Sequence, residues 1–128
     1  MRSLNAEKHY VQAEYVFAVD GGATGGIVPS ISSKIPADAI ITECWVEGIV
    51  QPTGGGNMKV QVGTVGGTVT DLTATFVRAD MTATDVIAGL LNNTLMPKKI
   101  AAAGDIILHA ATAITAQGTM VITIGYTL

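Results

Sequence analysis

Residues Ile40 to Val50, with the sequence IITECWVEGIV, decide the fold of this protein. Successive side chains of a β-strand point to opposite faces, so this stretch separates into two faces. One face is small and apolar, and it carries Ile40, Thr42, Cys44, Val46, Gly48 and Val50. The other face carries Ile41, Glu43, Trp45, Glu47 and Ile49. The pattern predicts a long strand whose first face lies in a core and whose two carboxylates point outward.

Further β-rich runs lie on both sides of this strand, at residues 15–19, 58–62, 72–77, 106–110 and 119–126. Alternation predicts that Met58, Val60 and Val62 point inward. It also places Ile106, Leu108 and Ala110 on one face of their run, and Met120, Ile122, Ile124 and Tyr126 on one face of the last run. Clusters of glycine, proline and asparagine separate the runs, and such clusters are typical of turns. Many short strands with frequent turns indicate an all-β sandwich. About eight strands in a chain of this length predict a jelly roll.

One segment, from Thr82 to Asn93, has the character of a helix. Thr82 precedes Asp85 at the spacing of a capping box, with an acidic residue at the third helical position. Apolar residues then follow at helical spacing, namely Val86, Ile87, Leu90 and Leu91. We therefore expect at most one short helix, inserted between strands.

Residues 1–9 are mixed and polar, without periodicity. We expect them to form an N-terminal arm, either frayed or used for docking. The remaining residues, 10–128, are expected to form a single β-sandwich domain.

The composition excludes several classes of protein. The chain has 128 residues and a mass of 13.1 kDa, which fits one domain. Charged residues make up 13 % of it, against about 25 % in soluble domains, and the net charge is −3. Disordered segments and nucleic-acid binders need far more charge. A single cysteine excludes a disulfide-stapled module. So few charges predict that part of the surface is buried against copies of the chain or a larger assembly.

No membrane span or export signal is predicted. The most apolar stretch, residues 100–116, contains Asp105 and is broken by a turn signal. Charged residues interrupt the first 20 positions, so no signal-peptide core is present. We expect synthesis in the cytoplasm.

No residue pattern points to an enzyme, a cofactor or a metal. Residues Gly21 to Gly26 lack the spacing of a phosphate-binding loop, and Pro29 follows where a helix would be needed. His9 and His109 are 100 positions apart, and Cys44 has no partner at ligand spacing. Cys44 is expected to be a small core residue. The aspartates are expected to cap turns through their side chains.

Glu43, Trp45 and Glu47 share one side of the central strand. Residues four apart on a strand are separated by about 13 Å, too far for a glycosidase pair of carboxylates. A flat aromatic ring between two acids can anchor a protein interface, stack on a sugar, or contact a second sheet. The interface interpretation is favoured because the chain has one tryptophan and few other aromatic residues.

Several stretches together resemble a known group of proteins. They are residues 17–23 leading into 28–29, 35–42 leading into 45–46, 52–56, 60–64, 108–113, 115–118 and 121–126. Over about residues 15–127, the chain resembles small virion proteins of tailed bacteriophages, in particular capsid decoration or cement proteins with jelly-roll sandwiches. The motifs that carry the resemblance are structural turns and strands. Residues 1–9 lie outside it.

The resemblance implies a homotrimer on the outer surface of the head that bridges neighbouring major capsid subunits. It implies no catalytic residues. From the composition and the motifs we expect no cofactor, and neither nucleic acid nor a membrane as a partner. The alternative is a glycan- or surface-binding β-sandwich module, such as a head fibre or a tail accessory protein. The candidate interface residues are Arg2, Leu4, Tyr10, Glu43, Trp45 and Glu47.

Overall fold

The computed structural model describes residues 7–82, 86–88 and 97–128, which form ten β-strands and two short helical turns. The strands are β1 (Lys8–Val16), β2 (Gly25–Ile27), β3 (Ile40–Val50), β4 (Asn57–Gly63), β5 (Val69–Asp71), β6 (Phe76–Val77), β7 (Val86–Ala88), β8 (Lys98–Lys99), β9 (Asp105–Ala110) and β10 (Thr119–Thr127). The α-helical turn is α1 (Phe17–Asp20), and a 3-10 turn spans Arg78–Asp80.

The strands form two antiparallel sheets. The first sheet has the order β1-β10-β3-β7, and β8 also pairs with β3. The second sheet has the order β2-β9-β4-β5, and β6 also pairs with β4. Since β7 and β8 share one side of β3, and β5 and β6 share one side of β4, each sheet has four strand positions. This arrangement is a jelly-roll sandwich, which confirms the predicted all-β fold.

The core lies between the two sheets and contains side chains from both. The faces that alternation separated in the sequence contribute its central members. Buried in it are Met58, Val60 and Val62 of β4, Ile106, Leu108 and Ala110 of β9, and Met120, Ile122, Ile124 and Tyr126 of β10. Cys44 is also buried in the core, as expected, and burial raises the pKa of its thiol to about 12.

Two irregularities change the face assignment along β3. Gly125 of β10 pairs with Glu43, but the next residue, Tyr126, pairs with Ile41, so Thr42 is an extra residue. A β-bulge of this kind exchanges the two faces beyond it. Ile41 is therefore fully buried, and its predicted place on the acidic face was wrong. A second shift, at the other end of β3, leaves Val50 exposed rather than in the core.

The run at residues 15–19 is not a continuous strand. Strand β1 ends at Val16, and α1 follows at once. The Asp20 carboxylate accepts the N–H of Val16 at 3.0 Å and the N–H of Ser30 at 2.8 Å. The Tyr15 hydroxyl donates to the Gly21 carbonyl at 2.6 Å. These bonds turn the chain at the end of the sheet, where the β-propensity of residues 17–19 alone predicted more strand.

The predicted helix between Thr82 and Asn93 is contradicted where the structure describes it. Residues Val86–Ala88 form β7 and pair with Glu47, Val46 and Trp45 of β3. Pairing with an open side of β3 outweighs a weak helical pattern. The remaining residues of the prediction, 83–85 and 89–93, lie outside the described residues.

Strand β1 begins at Lys8, so the last two residues of the expected arm lie in the first sheet. Lys8 pairs with Thr127, and His9 pairs with Tyr126. The rings of His9 and Tyr126 stack at a centroid distance of 5.3 Å. Residues 1–6 lie outside the described residues.

A buried arginine connects two loops at one end of the sandwich. The side chain of Arg78 is only 1 % exposed. It donates to the carbonyl oxygens of Thr112, Ala113 (2.8 Å) and Thr53 (3.5 Å). Its Nε atom has no hydrogen-bond partner among the described residues. Burial lowers the pKa of the guanidinium group, so the carbonyl contacts must offset the loss of hydration.

Candidate interface surface

The outer face of the first sheet brings together side chains from three adjacent strands. Gln12 of β1 pairs with Thr123 of β10, which in turn pairs with Trp45 of β3. Tyr10 lies two residues before Gln12 in β1, so its side chain is on the same face of the sheet. These four residues, which we call the aromatic patch, line a shallow depression of about 500 Å³.

The two aromatic rings of the patch are in contact. The ring centroids of Tyr10 and Trp45 are 6.0 Å apart, with an interplanar angle of 56°. Tyr10 is 55 % exposed, while Trp45 is half-buried. Beneath them Thr123 is only 4 % exposed, and its hydroxyl accepts a hydrogen bond from Gln12 Nε2 at 3.1 Å. The rings of Tyr10 and Trp45 therefore form one apolar surface, and the Gln12 amide lies at its border.

A glycine makes room for the acidic border of the patch. Gly125 lies between Tyr10 and Glu43 in the sheet. A Cβ atom at Gly125 would lie 2.6 Å from both Cγ and Oε1 of Glu43. Only glycine therefore lets the Glu43 side chain cross the middle strand towards β1.

Glu43 reaches two side chains of β1. Its Oε1 atom accepts a hydrogen bond from Lys8 Nζ at 3.1 Å. The hydrogen bond from Lys8, together with one from the Tyr10 hydroxyl, lowers the pKa of the Glu43 carboxyl. The bond to Glu43 raises the pKa of Tyr10 in return. The border of the patch thus carries an ion pair with both charges partly exposed, which contributes little to stability.

The structure brings together some of the predicted interface residues and separates others. Tyr10, Glu43 and Trp45 form one continuous surface. Glu47 lies further along β3, exposed, and pairs with Val121 and Val86. Arg2 and Leu4 lie outside the described residues.

Lys8, Gln12 and Thr123 belong to this surface, although sequence reasoning did not select them. Each has the polar character of any exposed strand position. Their place beside Trp45 depends on the register between β1, β10 and β3, and β1 is more than 100 residues from β10 along the chain. The sequence alone indicates only that Tyr10 and Gln12, two residues apart, share one face of a strand.

The second sheet carries a separate polar cluster on its outer face. Asp71 accepts from Lys59 Nζ at 3.2 Å and from Gln61 Nε2 at 2.7 Å, and these bonds hold the pKa of its carboxyl below the usual value despite the opposing effect of burial. His109 pairs with Lys59 across the strands. Among residues 7–82, 86–88 and 97–128, no three His, Cys, Asp or Glu residues are grouped to hold a metal ion. Gln61 is buried in this cluster, whereas Lys59, Asp71 and His109 are partly exposed.

Within the same described ranges, no helix is long and apolar enough to cross a membrane.

The fold, a jelly-roll sandwich, is also found in chains of three bacteriophage capsids. A chain of the acid-stable capsid of Helicobacter pylori bacteriophage KHP30 aligns with a TM-score of 0.61 and 14 % identity, over 94 % of this chain and 87 % of that one. A chain of the capsid of Ralstonia phage GP4 aligns with a TM-score of 0.62 and 14 % identity, over 99 % and 88 %. A chain of the cyanophage Pam1 capsid asymmetric unit gives 0.57 and 15 %, over 100 % and 89 %. No protein-family model matches the chain, and no curated protein matches its sequence.

Proposed function

We propose that this chain is a structural virion protein of a bacteriophage, which decorates the outer surface of the head and bridges neighbouring major capsid subunits. The observation that carries the proposal is the likeness, over nearly the whole chain, to chains of three phage capsids. The proposed role needs neither catalysis nor a cofactor. A decoration protein that binds only the assembled lattice stabilises that lattice by mass action.

The aromatic patch and its acidic border are the proposed contact with the capsid. Buried aromatic anchors surrounded by polar groups are typical of the energetic centre of protein interfaces. Tyr10 and Trp45 supply the anchors, and Glu43 supplies the border. Glu47, further along β3, extends the same face. Arg2 and Leu4 are proposed to reach the capsid from the N-terminal residues.

We expect a homotrimer, with a mass three times the 13.1 kDa of the chain. Three copies would raise the avidity for a repeating lattice, because the second and third contacts form at high effective concentration. The low charge of the chain favours burial of surface between copies. Light scattering behind a sizing column measures this mass directly.

The proposal is tested on the virions of the phage that encodes the chain. We expect mass spectrometry to detect the chain in purified virions, and antibodies against it to label intact heads. Purified protein should also cosediment with heads that lack it. Absence from virions, or failure to bind such heads, would contradict the proposal.

Replacing Trp45 with alanine should weaken attachment to heads by about thirtyfold or more, because truncation of a central aromatic anchor typically costs about 2 kcal/mol or more. Binding isotherms by cosedimentation measure the change. Val19, which is 69 % exposed in α1 and distant from the patch, provides a control, since Val19→Ala should leave attachment unchanged. Equal affinities for Trp45→Ala and the wild type would remove the patch from the interface.

A glycan-binding module is the second candidate, and the same patch favours it. The Trp45 ring with the Gln12 amide beside it combines a stacking surface and a hydrogen-bonding group, which suits a sugar. A glycan array distinguishes the two. Binding to a glycan that Trp45→Ala abolishes, without binding to heads, would favour this candidate over capsid decoration.

A further inference from the structure

Strand β1 lies at the edge of the first sheet, and most of one side has no partner among the residues that the structure describes. β10 pairs with the other side along the whole strand, from Lys8 to Val16. On the open side, the partners supplied by the described residues begin only at Glu14, whose N–H donates to the carbonyl of Ile31 at 2.9 Å. No described residue pairs with this side of the stretch from Lys8 to Ala13, which we call the free edge.

The bond to Ile31 shows which backbone groups face that edge. In an antiparallel ladder, the N–H and C=O groups of alternate residues point to the same side. Since Glu14 points away from β10, Tyr10 and Gln12 do so too, and so does Lys8 at the start of the strand. These three residues carry N–H and C=O groups aimed outward, without a partner among residues that the structure describes.

The free edge has few of the devices that keep sheet edges apart. Natural proteins block such edges with prolines, bulges and charged side chains, above all lysine. The free stretch contains no proline, and its pairing with β10 runs without a register shift. It carries one lysine, Lys8, which lies at its end. An unprotected edge of this kind is suited to pair with another strand.

We infer that two copies of this chain pair through their β1 edges, antiparallel and around a two-fold axis at Tyr10. A two-fold contact uses the same surface of both copies, here the free edge of β1, and it is the commonest contact between identical chains. The register follows from Ile31, which already occupies the position beside Glu14. The outward-facing backbone groups of Lys8, Tyr10 and Gln12 remain unpaired among the described residues. All three pair with the other copy only when Tyr10 lies opposite Tyr10 and Lys8 lies opposite Gln12.

The side chains complement one another in this register. Gln12 uses Nε2 to bind Thr123, which leaves its carbonyl oxygen without a described partner. The Lys8 ammonium has three donors, of which one binds Glu43. Lys8 of each copy can therefore donate to Gln12 of the other. The two lysines stay about 14 Å apart along the strands, beyond the screening length of physiological salt.

The pairing also joins the two aromatic patches. Tyr10 carries the most exposed aromatic ring of the patch, and in this register it meets its own copy at the axis. Aromatic pairs across neighbouring strands contribute to sheet stability. The result is one continuous sheet in which the first sheets of both copies, and their patches, adjoin.

This contact goes beyond the proposed function, since it needs no capsid. It joins copies in pairs, so it adds to a three-fold contact rather than replacing it. A chain without a three-fold contact should therefore form dimers, whereas each trimer presents three β1 edges and should associate further, into hexamers or larger assemblies. Binding to heads and pairing at β1 are measured separately, so failure of one is distinguishable from failure of the other.

A register-specific cross-link tests the inference. Residues directly opposite in a hydrogen-bonded antiparallel pair have Cα atoms about 5.5 Å apart, within the range of a disulfide. Tyr10→Cys should therefore cross-link to its own copy under mild oxidation, as seen on a non-reducing gel. Gln12→Cys is the matched control, because the two copies of Gln12 lie about 14 Å apart. Native Cys44 is buried and should not interfere.

A proline substitution tests the backbone contact itself. Gln12→Pro removes an N–H that faces away from β10, so the pairing within the first sheet is retained. Two symmetry-related donors are lost, and the dissociation constant for self-association should rise about thirtyfold. Gln12→Ala, which also loses the bond to Thr123 but keeps the N–H, should self-associate more strongly than Gln12→Pro. Light scattering over a concentration series gives the masses, and circular dichroism checks folding.

Three outcomes would overturn the inference. One is a wild-type chain that stays monomeric, or purely trimeric, at millimolar concentration. Another is equal cross-linking of Tyr10→Cys and Gln12→Cys. The third is a folded Gln12→Pro variant that self-associates like Gln12→Ala, or that loses only attachment to heads, which would assign the edge to a capsid strand. If Gln12→Pro does not fold, Tyr10→Lys replaces it, since two lysines facing each other at the axis should weaken self-association.

Discussion

Replacing Arg78 with methionine should lower the free energy of unfolding by about 3 kcal/mol. The guanidinium group is the hydrogen-bond donor to the carbonyls of Thr112 and Ala113, and it also reaches Thr53. A buried carbonyl that loses its donor costs about 1–3 kcal/mol, and the cost is smaller at exposed residues such as Thr112 and Ala113. Relief from burying a charge offsets part of this loss. The loops lie at the end of the sandwich, where water can replace some of the lost bonds, so the sum of the individual costs is an upper limit.

Urea unfolding followed by the fluorescence of Trp45, the single tryptophan, measures the change. Arg78→Lys is the matched control. It keeps the positive charge, but one ammonium group cannot bind all the same carbonyls. Its stability should therefore fall between those of the wild type and Arg78→Met. If Arg78→Met were as stable as the wild type, the arginine would hold the loops without net stabilisation.

Replacing Gly63 with alanine should lower the free energy of unfolding by more than about 3 kcal/mol, or prevent folding. Gly63 ends β4 with a φ of +148°, which side chains disfavour. A Cβ atom there would lie 2.2 Å from the carbonyl oxygen of Thr68 and 2.8 Å from Cα of Val69. These are backbone atoms of the paired strand and its turn, so the hairpin from β4 to β5 would have to shift. The backbone strain alone costs about 1–3 kcal/mol.

Alanine substitutions at two other glycines separate the backbone strain from the steric clash. Gly66 has a φ of +80° and nothing within 4 Å of an added Cβ, so Gly66→Ala should cost only the backbone strain, about 1–2 kcal/mol. Gly55 has neither a positive φ nor a close neighbour, so Gly55→Ala should be nearly neutral. Thermal unfolding by circular dichroism ranks the three variants. Equal losses for Gly63→Ala and Gly66→Ala would show that the hairpin yields to the added methyl group.

The patch and the free edge assign different tasks to neighbouring parts of one sheet. The rings of Tyr10 and Trp45 lie on its outer face, whereas the backbone of β1 faces sideways. A jelly roll leaves both accessible because its core closes between the two sheets. Contact with a capsid through the face is therefore compatible with contact between copies through the edge.

The alternation of β4, β9 and β10 was readable because a strand with one buried face has a period of two residues, and that period is local. Composition, together with the turn residues between the runs, was enough to predict an all-β sandwich. Trp45 and its acidic neighbours could be selected for the same reason, since they share one face of one strand.

Other features depend on contacts between residues distant in sequence, and only the tertiary structure decided them. The bulge at Thr42 turns Ile41 into the core because β10 pairs on both sides of it. The helical pattern near Val86 yields to pairing with β3. Arg78 is buried because carbonyls from two separate loops meet it.

The sequence by itself determined the class of fold, the central core residues and the face that carries Trp45. The tertiary structure alone decided the register that joins Trp45 to Tyr10, the strand left at the edge and the burial of Arg78. The physical reason is the sequence separation over which each kind of interaction acts. Strand periodicity and turn propensity act over a few neighbouring residues, whereas register and burial are set by contacts between distant strands, such as β1 and β10, which lie more than 100 residues apart.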